Sequence, residues 1–119
     1  MPLPELDRSD PDSIALTGSA ERDRVLRVLC RYAGELRARG IRRLRLFGSV
    51  ARGEAEAASD IDLIADIDPD ARKFSLLDLI RLENELGTVV GRPVEIATAL
   101  AKMRPRIRAR VESDAIQVL

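Results

Sequence analysis

Leu46-Phe47-Gly48-Ser49-Val50-Ala51-Arg52-Gly53 and, after a short polar loop, Ser59-Asp60-Ile61-Asp62-Leu63 are the two stretches on which this chain's architecture turns. Upstream of the first, Ile41 to Phe47 sets Leu44 and Leu46 against Arg43 and Arg45, the two-residue period of a strand with one buried face. Gly48-Ser49 ends that strand abruptly. Asp60 to Ile67 alternates again, with Ile61, Leu63 and Ala65 on one face and Asp60, Asp62 and Ile64 on the other. Aspartate is disfavoured in strands, so two of them at i and i+2 of an apolar strand require a reason. Carboxylates this close repel one another, and a hard divalent cation such as Mg²⁺ relieves the repulsion. The other reading is a solvated sheet face that happens to carry charge. Gly48-Ser49 weighs for the first. Glycine lets backbone approach a ligand, and a serine opening a short helical turn offers a hydroxyl and free N–H groups to a phosphate. Strands placed side by side would set a phosphate grip next to a metal grip.

Outward from these stretches the elements alternate. Val25, Val28, Leu29, Tyr32 and Leu36 recur at the spacing of one helix face from Ala20 to Arg39, with Gly40 as the stop. Tyr32 and the lone cysteine, Cys30, read as core side chains of that helix. Ser75 and Asp78 form a capping box, with Phe74 and Leu79 as its hydrophobic staple, for a helix running through Leu82 and Leu86 toward Val90 and terminated by Gly91. Pro93 to Thr98 reads as a third strand. Pro105 opens a last helix over Ile107, Val111 and Ala115, and the apolar tail Ile116 to Leu119 follows. This order predicts an α/β (α+β) fold, a mixed sheet of about three to five strands flanked by helices. Residues 1–19, with three prolines and no periodicity, read as a flexible arm before a domain over 20–119.

Composition excludes several classes. The 119 residues are 45% hydrophobic and 34% charged, as in an ordinary globular domain, and no apolar run is long enough to span a bilayer. The opening Met1-Pro2-Leu3-Pro4-Glu5 has no signal-peptide character, which predicts a cytoplasmic protein without membrane association. Twenty basic and 20 acidic residues balance, so no direct nucleic-acid binding is expected. The charges are nonetheless segregated: ten arginines between Arg22 and Arg52, and seven acids between Glu54 and Asp70. Most of the arginines read as solvated helix faces, and a basic helix opposite an acidic site leaves homo- or hetero-association open. Asp66, Asp68 and Asp70 read as strand-end and loop charge. Histidine is absent, which removes Ser-His-Asp triads and histidine metal sites and leaves carboxylates as the ligands of any metal.

The two stretches together, Gly48-Ser49, ten residues, then Asp60-Ile61-Asp62, resemble the Gly-Ser-x10-Asp-x-Asp signature of the DNA polymerase beta-like nucleotidyltransferases, and most closely their minimal, or MNT, type. The motif occupies Leu46 to Leu63, while the order of elements agrees from about Val25 onward. The resemblance implies that fold, with Asp60, Asp62 and a third carboxylate holding two Mg²⁺ ions. Glu95, between Val94 and Ile96, is the acid of the right kind in the third strand, where relatives carry aspartate. The resemblance further implies Gly48 and Ser49 on the phosphates of ATP, and attack of an acceptor hydroxyl on the α-phosphate with loss of pyrophosphate. Arg52 matches a family position and has two readings, a phosphate contact or an exposed helix arginine. MNT-type proteins resemble antitoxins paired with HEPN-type toxins, so a tyrosine of such a partner is the acceptor the resemblance implies. A small-molecule nucleotidyltransferase of the aminoglycoside-modifying kind and a binding-only antitoxin are the alternatives.

Overall fold

In a computed structural model, residues 17–68, 74–98 and 104–119 are described, and every structural statement below concerns these. Helix α1 spans Gly18–Arg31 and α2 Ala33–Ala38; β1, Ile41–Phe47, leads into the short α3, Gly48–Ala51. Strand β2 is Ile61–Ile67, α4 is Leu76–Val90, β3 is Val94–Ala97, α5 is Pro105–Asp114 and β4 is Ile116–Gln117. The strands form one mixed sheet in the order β3-β2-β1-β4. β1 pairs antiparallel with both β2 and β4, and β2 pairs parallel with β3, the crossover being α4. The apolar tail thus supplies a fourth strand.

The expected single helix over 20–39 is two helices. α1 starts at Gly18, and the chain bends at Tyr32 (φ −102°, ψ 7°) before α2 resumes. The break lets Tyr32 and Leu36 both reach the core, with 7% and 0% exposure. Cys30 corrects its expectation. It lies off the Val25, Val28, Leu29 stripe and is exposed. The cap of α4 forms as the sequence predicts: Asp78 N–H donates to Ser75 Oγ, and Ser75 N–H donates back to Asp78 Oδ2. Gly91 closes that helix in the left-handed conformation, φ 76°. Of the expected N-terminal arm, residues 1–16 lie outside the described residues, as does Asp70.

The core is one-sided. Leu44 and Leu46 of β1, Ile61, Leu63 and Ala65 of β2, and Val94 and Ile96 of β3 pack with the buried stripes of α1 and α4. Ile41 joins them although it is three residues from Leu44, because the β1–β2 register shifts between Ile41 and Arg43 and returns both side chains to one face. The opposite face carries the alternate residues, including Asp62 and Glu95. Ile64 departs from the simple pattern: it shares Asp62's face yet is only 1% exposed, with Arg45 and Ala97 as its cross-strand neighbours. At the outer edge of β3, Ile96 N–H donates to Glu83 Oε2 of α4 at 2.9 Å. No described helix is long and apolar enough to cross a membrane.

Candidate active site

β1 delivers the chain, fully extended at Phe47, into Gly48 with φ 79°, where it turns into α3 without a linking residue. A side chain there would need strained backbone and a displaced Asp62 carboxylate. The left-handed conformation disfavours one, and a Cβ would stand 2.6 Å from Asp62 Oδ2. Gly48 is therefore the floor against which the Asp62 carboxylate rests. Burial of Val50 and Ala51 anchors α3, and Glu54 N–H donates to the Ser49 carbonyl at 2.9 Å, closing the turn around a half-buried Ser49.

Register brings the acids together. Asp62 is aligned with Phe47 on one side and with Glu95 on the other, and aligned neighbours share a face of the sheet. Asp60 lies one residue ahead of β2 and is exposed, as is Glu95, while Asp62 is half-buried between them. Burial pushes the Asp62 carboxyl above its ordinary range, and the Glu95 and Asp60 charges push it further, with Arg52 partly opposing them. Asp62 thus feels the charges of both other sequence candidates. Among the described residues no three acidic or sulfur side chains close around a point as a cage for an ion. They form an open row instead. Such a donor set fits Mg²⁺, which takes one or two carboxylates and fills its octahedron with water and substrate phosphate.

Arg52 has a third role that neither sequence reading contained. It bonds Glu54 Oε2 and Asp114 Oδ2, both at 2.9 Å, tying the end of α3 to α5 while its charge still reaches Asp62. The sequence also missed a buried ionic cluster behind the row. Glu21 and Arg24 of α1 are both 0% exposed, and Arg92 is 5% exposed. Glu21 accepts from Arg24 and Arg92, and Arg24 also donates to the Val90 carbonyl at 2.6 Å. A signal was present: Glu21 and Arg24 precede Val25 and Val28 by four residues each, so they continue the buried stripe. Arg92, between Gly91 and Pro93, carries no such mark.

Residues 29–118 match the family model described as the nucleotidyltransferase domain. A Methanocaldococcus jannaschii protein named for protein adenylyltransferase activity, MJ0435, is 38% identical over 80 residues, 67% of this chain and 82% of its own. The protein adenylyltransferase MntA of Thermococcus cleftensis is 39% identical over 70 residues, 58% of this chain and 68% of its own. A solved minimal nucleotidyltransferase structure superposes with a TM-score of 0.62 at 35% identity, covering 85% of this chain and 95% of that one. A toxin-antitoxin crystal structure with AMP-PNP, at 18% identity, shares the fold with a TM-score of 0.58 over 82% of this chain and 72% of its own. With the family model matching most of the chain and the fold shared with a minimal nucleotidyltransferase at 35% identity, this chain belongs to the nucleotidyltransferase domain family, as an enzyme of the minimal, MNT type.

Proposed function

We propose that this enzyme transfers AMP from ATP to a hydroxyl of a protein acceptor, a tyrosine of a HEPN-type toxin, and so acts as the antitoxin of that pair. The observation that carries the reading is the alignment of Asp62 between Phe47-Gly48 and Glu95, which sets the turn suited to phosphate beside a row of three carboxylates. The relatives named as protein adenylyltransferases support AMP as the group and protein as the acceptor class. The reading places the reaction in the cytoplasm, where ATP and the partner meet.

Asp60, Asp62 and Glu95 would hold two Mg²⁺ ions, and Gly48 and Ser49 would receive the outer phosphates. When bound, the ions neutralise charge on the attacking and leaving oxygens. The acceptor oxygen forms a bond to the α-phosphorus as the bond to the bridging oxygen breaks, and pyrophosphate departs. Glu95, exposed on the edge strand, takes the acceptor's proton. Asp62, half-buried against Gly48, fixes the position of the row. Arg52 contributes positive charge near Asp62 while remaining tied to α5.

Incubation with α-phosphate-labelled ATP, Mg²⁺ and a lysate of the native host tests this, with Asp60→Asn/Asp62→Asn as the control. A protease-sensitive labelled band that requires both aspartates is expected. Label in RNA or a small molecule would refute the protein acceptor, and full neutralisation of the toxin by the double variant would leave a binding-only antitoxin.

A further inference from the structure

The buried cluster reaches the acidic row through one residue. Arg92 Nη1 donates to three backbone carbonyls of the loop that precedes the row: Glu56 at 2.8 Å, Ala57 at 3.2 Å and Ser59 at 2.9 Å. Its Nε donates to Glu21, so a single guanidinium spans the helix and the loop. The next residue completes the hold, because Ile61 N–H donates to the Pro93 carbonyl at 2.9 Å. Asp60 is therefore fastened on both sides, at Ser59 and at Ile61, to the two consecutive residues 92 and 93. Glu95 lies three positions farther along that same segment.

Three carbonyl oxygens converging on one point repel one another unless a cation or donor sits among them, and the Arg92 fork supplies both charge and directed N–H groups. Glu21 offsets the buried charge, and Arg24, bonded to Glu21 and to the last residue of α4, holds Glu21 in turn. Gly87 permits the approach: a Cβ there would stand 3.1 Å from the Arg92 carbonyl.

We propose that Arg92 is a positioning residue for the acidic row, setting the separation of Asp60 from Glu95 by clamping the 56–59 loop to the segment that enters β3. The inference rests on the reading of Asp60, Asp62 and Glu95 as ligands of divalent ions. It extends that reading to a residue outside the motif, one that touches neither metal nor substrate. A lysine at 92 keeps the charge beside Glu21 but has no fork with which to span the carboxylate and three carbonyls, so the clamp loosens while the ion pair persists.

The test is Mn²⁺ affinity by calorimetry, together with amide hydrogen exchange over residues 56–61, in wild type, Arg92→Lys and Gly87→Ala. All are measured well below their melting temperatures. Asp62→Asn reports on the metal reading itself, and Arg39→Ala, which removes the ion pair to Glu85 on α4, serves as a stability control. Arg92→Lys is expected to bind Mn²⁺ about 10-fold more weakly, with faster exchange in the loop and a lower kcat at little-changed KM for ATP, and Gly87→Ala, whose Cβ displaces the Arg92 backbone by a few tenths of an ångström, to shift both readouts in the same direction by less. Arg39→Ala is expected to lose stability alone. If wild type binds Mn²⁺ through Asp62 and the folded clamp variants bind it equally well, the positioning role is overturned and the metal reading stands. If wild type shows no Asp62-dependent binding, the metal reading falls and this inference with it. Should Arg92→Lys not fold, Gly87→Ala, which removes no charge, decides.

Discussion

At Asp62, the proposed chemistry and the stability of the fold pull in opposite directions. Its carboxyl is pushed up by burial and by two acidic neighbours, so the folded state binds its proton more tightly than the unfolded chain does. A group of that sign lowers stability as pH rises from the ordinary aspartate range through the raised value, and the penalty persists at neutral pH. Asp62→Asn removes it. The metal-free variant is expected to melt several degrees above wild type at pH 7, with the difference closing as the pH falls below the ordinary aspartate range, and to transfer no AMP. A variant melting at or below wild type would show that the row carries no electrostatic strain. At this scale the sequence was informative because aspartates in an apolar strand contradict strand preference. What it could not give was how little room Asp62 leaves at position 48, where an added Cβ would stand 2.6 Å from its Oδ2, since that depends on the register of two strands separated by a loop.

Helix α1 illustrates how an amphipathic pattern can hide a polar core. Glu21 and Arg24 occupy the buried face, where breaking an ion pair leaves an uncompensated charge and costs about 3–5 kcal/mol, a large part of the about 5–15 kcal/mol available to a domain. Burial raises the Glu21 carboxyl, but hydrogen bonds from Arg24 and Arg92 outweigh it, and the net position is below the ordinary glutamate range. Its contribution is therefore complete above the unfolded pKa and disappears as pH falls through the lower folded value. Arg24→Met leaves Glu21 with Arg92 as a remaining partner and takes a donor from the Val90 carbonyl, and is expected to lose about 1–3 kcal/mol at pH 7 in urea melts, with the deficit shrinking below the ordinary glutamate range. A deficit independent of pH would assign the loss to packing alone. The cap of α4 and the apolar positions of the α1 and α4 stripes were legible because they depend on neighbours three or four residues away. The break at Tyr32 was not, since Gly34 two residues on is a weak local mark that a continuous helix also tolerates, and it is the bend that goes with Tyr32 and Leu36 both reaching one core.

Over the whole molecule, the mixed sheet and its helices follow from local periodicity, but the strand order does not. The pairing of Ile116–Gln117 with β1 joins segments about 70 residues apart, as Arg45 opposite Gln117 and Leu46 opposite Ile116 show, and nothing local specifies it. Asp60 and Asp62 were marked by type and spacing and Glu95 by the family resemblance, and the register of β2 and β3 aligns Asp62 with Glu95. The arginine clamp escaped because its partners are backbone carbonyls, which every residue carries. The Glu83 carboxylate on the Ile96 N–H has a consequence for the protein in bulk solution. β3 borders the described sheet, and a border strand of Val94, Ile96 and Ala97 with free N–H groups is a template on which another chain can add. Glu83 occupies that donor and places a charge along the border, an arrangement that disfavours strand-on-strand growth. Glu83→Ala is expected to scatter light and bind thioflavin at concentrations where wild type stays clear, and equal clarity of the two would show that the border is guarded by something else.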